Sequence, residues 1–154
     1  MTYEKFIKEY SAKGLLKEQK SGVDAVEKLV SRSEKDLKTA KANLTIDEGI
    51  AYTVAYLAML RAGRAFMLLK GFRPADGYQH KTVVDFMAQC LGKEYKDAAE
   101  RFDKMRRKRN MFTYEIDITI SRTETENALA AAVNFVDLIK AIMKRENPQE
   151  HFKF

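Results

Sequence analysis

The segment that most constrains the fold is the apolar run from Ile50 to Leu69, in which only Thr53, Arg61 and Arg64 are strongly polar. A helix that is apolar nearly all round must be packed by neighbours on several sides, whereas a surface helix needs only one apolar stripe. The sequence therefore predicts a central helix near residues 47–70. Its two arginines either cover the rim of the core or pair with carboxylates.

Other segments repeat apolar residues at spacings of three and four, the period of an amphipathic helix. The seam of the first long helix is Val23, Val26, Val30, Ser33, Leu37, Ala40 and Leu44. The seam of the last long helix is Leu129, Ala132, Phe135, Val136, Ile139 and Ile142. We predict an all-α, up-and-down four-helix bundle with additional short helices. Its long helices lie near 22–44, 47–70, 94–113 and 121–146, and its short ones at the N-terminus and near 81–91.

The helix starts carry cap signals. Ser21 and Asp24 are the expected caps of the first long helix, and Thr45 with Glu48 matches a capping box for the central one. Ser121 with Glu124 is a second capping box, at the start of the last helix. These polar residues place each start within a few positions.

Two segments between helices are predicted to be irregular. Residues 71–80, reading G-F-R-P-A-D-G-Y-Q-H, contain two glycines and a proline, and we expect a long loop there. Ile116, Ile118 and Ile120 alternate with polar residues, which indicates an extended connector laid over the bundle, since a lone strand has no sheet to join.

The length of 154 residues fits a single helical-bundle domain over 1–154. We expect the bundle proper at 22–146, an N-terminal docking helix within 1–20 and a tail at 147–154.

The most basic stretch of the chain runs from Arg101 to Tyr114, where five of the six residues 104–109 are cationic. On a helix, a stripe forms from Tyr95, Ala98, Phe102, Met105, Arg109 and Phe112. Arg109 thus falls in line with the apolar face, where a guanidinium needs a carboxylate, a carbonyl or an anionic ligand. Lys104, Arg107 and Lys108 fall on the other side, where cations ordinarily form a solvated face.

Composition limits the partners and the compartment. With 28 Lys and Arg against 22 Asp and Glu, the net charge is +6, which favours a phosphate-bearing partner. Cys90 is the only cysteine, and the N-terminus M-T-Y-E-K-F-I-K is charged, so we expect a cytoplasmic protein. The longest apolar run is closed by Arg61 and Arg64, well short of the ~20 residues that a bilayer needs, and no membrane span is predicted.

Several kinds of site are excluded by their motifs. Neither His80 nor His151 has a glutamate three residues before it, as a carboxylate di-metal bundle requires. The sequence lacks G-x-G-x-x-G, a phosphate loop, a cysteine pair for zinc and a nucleophile elbow. We therefore predict no metal and no cofactor.

Three stretches carry a resemblance to a known family. They are G-F-R-P…G-Y-Q-H-K-T (Gly71 to Thr82), F-D-K-M-R-R-K-R-N-M-F-T-Y (Phe102 to Tyr114) and A-L-A-A-A-V-N-F-V (Ala128 to Val136). Together they resemble the small prokaryotic HEPN proteins, named for nucleotide binding in higher eukaryotes and prokaryotes, over roughly residues 22 to 146. The most specific piece is R-N-x-x-x-Y at Arg109, Asn110 and Tyr114.

The resemblance implies a HEPN-like helical bundle, commonly a homodimer, in which paired R-N-x-x-x-H motifs meet in a cleft and cut RNA without a metal. Other members act beside a minimal nucleotidyltransferase in toxin–antitoxin pairs. Here Tyr114 occupies the position of the motif histidine. A phenol, with a pKa near ~10, is a poorer general base at neutral pH than an imidazole near ~6.5.

We therefore predict a homodimer that binds RNA or a nucleotide around R-N-x-x-x-Y, as a toxin–antitoxin component with weak or lost ribonuclease activity. The predicted catalytic residues are Arg109, Asn110, Tyr114 and, from the loop, His80; the predicted phosphate-binding residues are Arg73, Arg106, Arg107, Lys108 and Arg109. Two alternatives stay open. One is a non-catalytic helical adaptor, in which Arg109 pairs with a carboxylate such as Asp103 or one from a neighbouring helix. The other is an active ribonuclease toxin whose base is not Tyr114.

Overall fold

A computed structural model describes residues 1–77 and 79–154, and confirms the predicted all-α fold. Tyr78, within the resembling stretch Gly71 to Thr82, lies outside the described residues. The helices are α1 (Tyr3–Ala12), α2 (Val23–Asn43), α3 (Glu48–Leu69), α4 (Gln79–Leu91), α5 (Lys96–Tyr114) and α6 (Arg122–Glu146). Two short strands, β1 (Leu16–Glu18) and β2 (Phe72–Pro74), accompany them, and a 3-10 turn (Lys93–Tyr95) precedes α5.

Helix α3 is the centre of the bundle, as its apolar composition predicted, and it packs against α2, α4, α5 and α6. Its buried residues point in all directions around the axis, from Ala51 to Met67. The predicted cap was wrong: Asp47, not Thr45, caps the helix, and its Oδ1 accepts a hydrogen bond from the Ile50 amide at 3.0 Å. The extended backbone at Asp47 sets its short carboxylate over the first turn, two residues after the position that we predicted.

Helix α2 lies along α3 and joins it through polar as well as apolar groups. Buried Ser33 donates a hydrogen bond to the Ala58 carbonyl at 2.6 Å, and buried Asp36 pairs with Arg61. Of the two roles predicted for Arg61, rim residue or partner of a carboxylate, the structure therefore shows the second. The start of α2 differs from the prediction, because Gly22 is the N-cap and makes no side-chain cap bond, while Asp24 lies inside the first turn.

The expected loop at 71–80 contains strand β2, which pairs antiparallel with β1 in the register Leu16↔Pro74. Gly71, at φ 90°, turns the chain from α3 into this strand. Each strand has only three residues, too few to show an alternating pattern. The pairing fixes the segment that leads into α4.

Helix α4 is held from two sides. A Cβ on Gly63 of α3 would lie 2.7 Å from Val83 Cγ1, so the absence of a side chain there lets α4 approach closely. On the other side, the Tyr10 hydroxyl of α1 donates to Asp85 at 2.8 Å. The start of α4 is thereby fixed relative to α3.

The connector after α5 is not the extended segment that we predicted. Residues 116 and 117 form a turn, and Ile116 is fully exposed, whereas Ile120 packs against the core. Ser121 then caps α6 as predicted, since its Oγ accepts from the Glu124 amide at 3.0 Å. Beyond α6, Phe152 and Phe154 of the tail stack on each other and pack against the core.

Within the described part of the chain, no helix combines the length and the apolar character needed to cross a bilayer.

Candidate functional site

Helix α5 carries the motif, and its apolar stripe sets the direction of the motif side chains. Phe102 and Met105 are fully buried, and Phe112 packs against the core from a partly exposed position. Arg109 follows Met105 by one turn and is half-buried, as its place on the stripe predicted. The side chain of Arg109 therefore leaves the helix at the edge of the core.

His80, at the start of α4, lies on the same cavity as the motif. Its Nδ1 is 2.9 Å from the hydroxyl of Tyr56, a fully buried residue of α3, and the two rings stack. This contact holds the imidazole against the bundle and leaves Nε2 as the ring nitrogen open to a proton or a ligand. The structure thus places His80 beside the motif with which we grouped it, and its catalytic role stays a prediction.

The cavity has a volume of about 440 Å³ and is open to solvent. We call it the motif cavity. It is lined by Gly77, Gln79, His80, Lys81, Arg106, Arg109, Asn110 and Tyr114. All four predicted catalytic residues therefore meet in one place, although they come from two helices that are separate in sequence.

Two of the three cations that line the motif cavity are neutralised by carboxylates. Lys81 Nζ lies 2.6 Å from Asp85, and Arg106 donates through both Nε and Nη2 to Asp103. The third cation, Arg109, differs. No described carboxylate lies within 4 Å of it, its Nε is buried without a hydrogen-bond partner, and its Nη1 makes one long contact of 3.4 Å to Asn110 Oδ1.

The adaptor alternative required Arg109 to pair with a carboxylate such as Asp103, and that pairing is wrong. One carboxylate oxygen of Asp103 accepts from Arg106, and the other lies 3.3 Å from Nε of Arg107. Arg106 and Arg107 lie three and four residues from Asp103, where helical side chains meet, whereas Arg109 lies six away. The buried Nε of Arg109 consequently has no partner among the described residues.

The electrostatics of the motif cavity keep His80 neutral. Burial lowers the pKa of His80, and the positive charges of Arg109, Arg106 and Arg64 lower it further. Burial also raises the pKa of Tyr56 above its usual value, so its phenol stays protonated as a hydrogen-bonding partner. A neutral imidazole beside an uncompensated guanidinium is suited to accept a proton near a bound phosphate.

The remaining predicted phosphate ligands lie elsewhere. Arg107 and Lys108 line a different cavity on the opposite side of α5, and Arg73 on β2 contacts Asp76 and the Pro74 carbonyl. Arg73 does not line the motif cavity. Of that predicted set, only Arg106 and Arg109 come together with the catalytic residues.

Three residues around the motif cavity were not predicted: Tyr56, Gln79 and Lys81. Nothing in the sequence around Tyr56 marks it as a site residue, because it lies within an apolar helix and its role depends on a tertiary contact with His80. Gln79 and Lys81 flank His80 in sequence, so they follow once His80 is placed. Within residues 1–77 and 79–154, no cluster of three or more His, Cys, Asp and Glu side chains is arranged to hold a metal ion.

Among known families, the model described as the HEPN domain matches residues 26–142, well over half of the chain. A comparison with curated proteins finds no match.

Proposed function

This chain belongs to the HEPN domain family, and from that membership we propose that it binds single-stranded RNA, or a nucleotide, through a phosphate held in the motif cavity. One observation carries the proposal: the partly buried guanidinium of Arg109 has no described carboxylate within reach, although it shares the cavity with His80, Asn110 and Tyr114.

The charge of Arg109 favours a bound anion. A guanidinium cannot lose its proton at neutral pH, so its partial burial costs free energy unless an anion compensates it. Asp85 and Asp103 already compensate Lys81 and Arg106. A phosphate would accept two parallel hydrogen bonds from the fork of Arg109, an arrangement that water cannot reproduce as well.

The other groups of the motif cavity suit the rest of a nucleotide. Asn110 offers an amide that can donate to a phosphate oxygen or to the edge of a base. Tyr114 is 80% exposed, so its ring is free to stack on an unpaired base. These two side chains leave α5 beside Arg109, and they support a single-stranded ligand over a duplex, whose bases are already stacked.

The test of binding is a fluorescence-anisotropy titration with a short single-stranded RNA. Arg109→Lys keeps the charge but loses the planar fork, and we expect its affinity to fall on the order of tenfold. Arg145→Lys, at an exposed position near the end of α6, is the matched control and should leave the affinity unchanged. Equal affinities for Arg109→Lys and wild type, or no binding of RNA at low salt, would overturn the proposal.

A second candidate function, endoribonuclease, is favoured by the neutral His80. In this reaction the ribose 2′-oxygen attacks the adjacent phosphorus while His80 Nε2 takes the hydroxyl proton, and the bond to the 5′-oxygen breaks. Water protonates the leaving oxygen, and His80 returns its proton to solvent. Arg109 would stabilise the extra negative charge on the phosphorus oxygens.

Cleavage is tested with His80→Gln, which should retain RNA affinity within a few fold while losing any turnover. A substrate with a 2′-deoxy nucleotide at the cut site should resist the wild-type protein in the same way. Tyr114→His restores the family motif and should increase the rate. Unchanged turnover in His80→Gln would remove His80 as the base.

We further propose a homodimer. Met111, near the end of α5, and Ile116, just after it, leave an exposed apolar patch, and Ile116 is fully exposed. A two-fold pairing through this patch would bring two copies of Arg109 toward one groove. Light scattering should give the dimer mass at micromolar concentration, and Ile116→Asp should shift it toward the monomer. A monomer mass for the wild type would remove the composite groove.

The family resemblance also supports a small nucleotidyltransferase as the partner, in a toxin–antitoxin pair. Such an enzyme encoded beside this chain should co-purify with it, and a neighbouring gene of another class would count against the pairing.

A further inference from the structure

A second basic cavity lies on the opposite side of α5 from the motif, between α3, α5 and α6. Its volume is about 530 Å³, within the range of small-ligand sites. The residues that matter for its chemistry are Tyr52, Arg101, Lys104, Arg107, Lys108 and Glu124. We call it the rear cavity.

The rear cavity has more positive charge than its own carboxylate can balance. Glu124 lies 3.7 Å from Lys108 and compensates that lysine, while Arg107 is bound to Asp103 outside the cavity. Arg101 and Lys104 have no described carboxylate within 4 Å. The cavity thus differs from an ordinary solvated face, in which opposite charges alternate.

Arg101 resembles Arg109 in one respect. The Nε atom of each arginine is buried and makes no hydrogen bond within the described residues. Tyr52, which is 4% exposed, lines the same cavity as Arg101. Burial raises the pKa of Tyr52 to about 12, so its phenol remains a neutral donor beside the guanidinium. A tetrahedral anion would satisfy both groups.

The two cavities are arranged along one helix. Arg101 and Arg109 are separated by eight residues, which is about 12 Å along the axis of α5. This distance is too long for a single phosphate group to bridge. Arg107 is exposed on the outer face of α5, between the two cavities. A polyanion that crosses this face can therefore reach both.

We propose that the rear cavity binds a second backbone phosphate of the same RNA strand whose first phosphate lies at Arg109. This inference rests on the proposed function. It extends the RNA contact across α5 and assigns phosphate binding to Arg101 and Lys104. A free nucleotide would present the same phosphate chemistry, and the experiment separates the two sources.

The experiment uses the double variant Arg101→Met, Lys104→Gln, which keeps most of both stems and removes two charges. The double variant Lys35→Ala, Lys38→Ala removes two charges from the exposed face of α2 and is the matched control. Affinity for a long single-stranded RNA should fall on the order of tenfold in the first variant. Its log–log dependence on salt should flatten by about 0.7, the value for the one phosphate contact that is lost.

A dinucleotide, whose single phosphodiester occupies one cavity at a time, should lose less affinity in the rear-cavity variant than the long RNA does. The inference is overturned if the rear-cavity variant binds long RNA as the control does while Arg109→Lys still weakens binding; the motif cavity then acts alone. It is also overturned if ATP binding depends on Arg101 and Lys104 while RNA affinity does not. Failure of the wild type to bind either RNA would instead remove the proposed function itself. Circular dichroism of each variant excludes misfolding as the cause.

Discussion

Arg61 and Arg109 are both partly buried arginines at the edge of the core, and their surroundings differ in one respect. Arg61 on α3 contacts Asp36, a buried carboxylate of α2 that also lies 3.6 Å from Arg32. Arg109 on α5 has no described carboxylate within 4 Å, and its Nε makes no hydrogen bond. The charge of Arg61 is therefore compensated within the fold, whereas no described carboxylate compensates the charge of Arg109.

An arginine on an apolar stripe can either stabilise the fold or bind a ligand, and its position on the stripe does not show which. Both residues interrupt apolar surfaces of long helices. What separates them is the neighbouring helix, which supplies a buried carboxylate in one case and the neutral imidazole of His80 in the other. The difference leads to opposite expectations when each charge is removed.

The largest expected change in stability belongs to Arg61→Met. Removing one partner of a buried ion pair leaves the other charge uncompensated, which typically costs ~3–5 kcal/mol. Arg32 stays near Asp36, and the side chain of Arg61 is 27% exposed, so we expect about 3 kcal/mol, at the lower end of that range. Urea denaturation measures the free energy of unfolding. RNA affinity should not change.

The matched control is the double variant Arg61→Met, Asp36→Leu, which removes both charges together. Since no buried carboxylate is then stranded, the double variant should be more stable than Arg61→Met alone. A double variant that is less stable than the single one would show that the pairing is not what makes Arg61 structural.

The next largest expected change in the free energy of unfolding is at the same interface between α2 and α3. Ser33→Ala removes a buried hydroxyl that donates to the Ala58 carbonyl, and we expect a loss of about 1 kcal/mol in the free energy of unfolding. The cost is modest because the carbonyl belongs to a helix and keeps its backbone partner. Thr39→Ala, whose exposed hydroxyl binds within α2, is the comparison and should cost less.

The sequence was enough to predict the helices because their seams run for five or more turns. The observed bounds lie within about two residues of the predicted ones for each long helix. Caps and short strands were less predictable. Asp47 and Thr45 are both good cap residues close together, and only the backbone conformation selects between them. Strands β1 and β2 are defined by each other and not by a local pattern.

The site could be predicted only in part, for the same reason. Arg109, Asn110 and Tyr114 follow from one local motif, but the position of His80 depends on the packing of α4 against α3 and on the buried Tyr56. Arg101, Lys104 and Lys108 recur at spacings of three and four, which is a visible signal for one helix face. The sequence does not show that this face forms a cavity with Tyr52 and Glu124, because that contact depends on how α3 and α6 pack against α5.

A smaller effect is expected from pH. The pKa of His80 is lowered in the folded protein from an unfolded value of 6.5, so the unfolded chain binds more protons between the two values. The stability that neutral His80 contributes is thus present above about pH 6.5 and is lost as the pH falls below it. Urea denaturation at several pH values should show this loss in wild type and not in His80→Gln.

The same linkage predicts the pH dependence of binding. A phosphate in the motif cavity favours the protonated imidazole, so RNA affinity should rise as the pH falls toward the lowered pKa of His80. His80→Gln should remove most of that rise. An affinity that is independent of pH in wild type would separate His80 from the ligand.

The smallest expected change in stability, and the most direct test, is Arg109→Met. Methionine keeps much of the apolar stem without the charge, so no described carboxylate is stranded. One thermal or urea denaturation series and one RNA titration decide the matter. We predict a free energy of unfolding within about 1 kcal/mol of wild type, or higher, together with loss of RNA binding. A protein destabilised by ~3–5 kcal/mol, as a broken internal ion pair would give, with unaltered RNA affinity would contradict the assignment of Arg109 to a ligand.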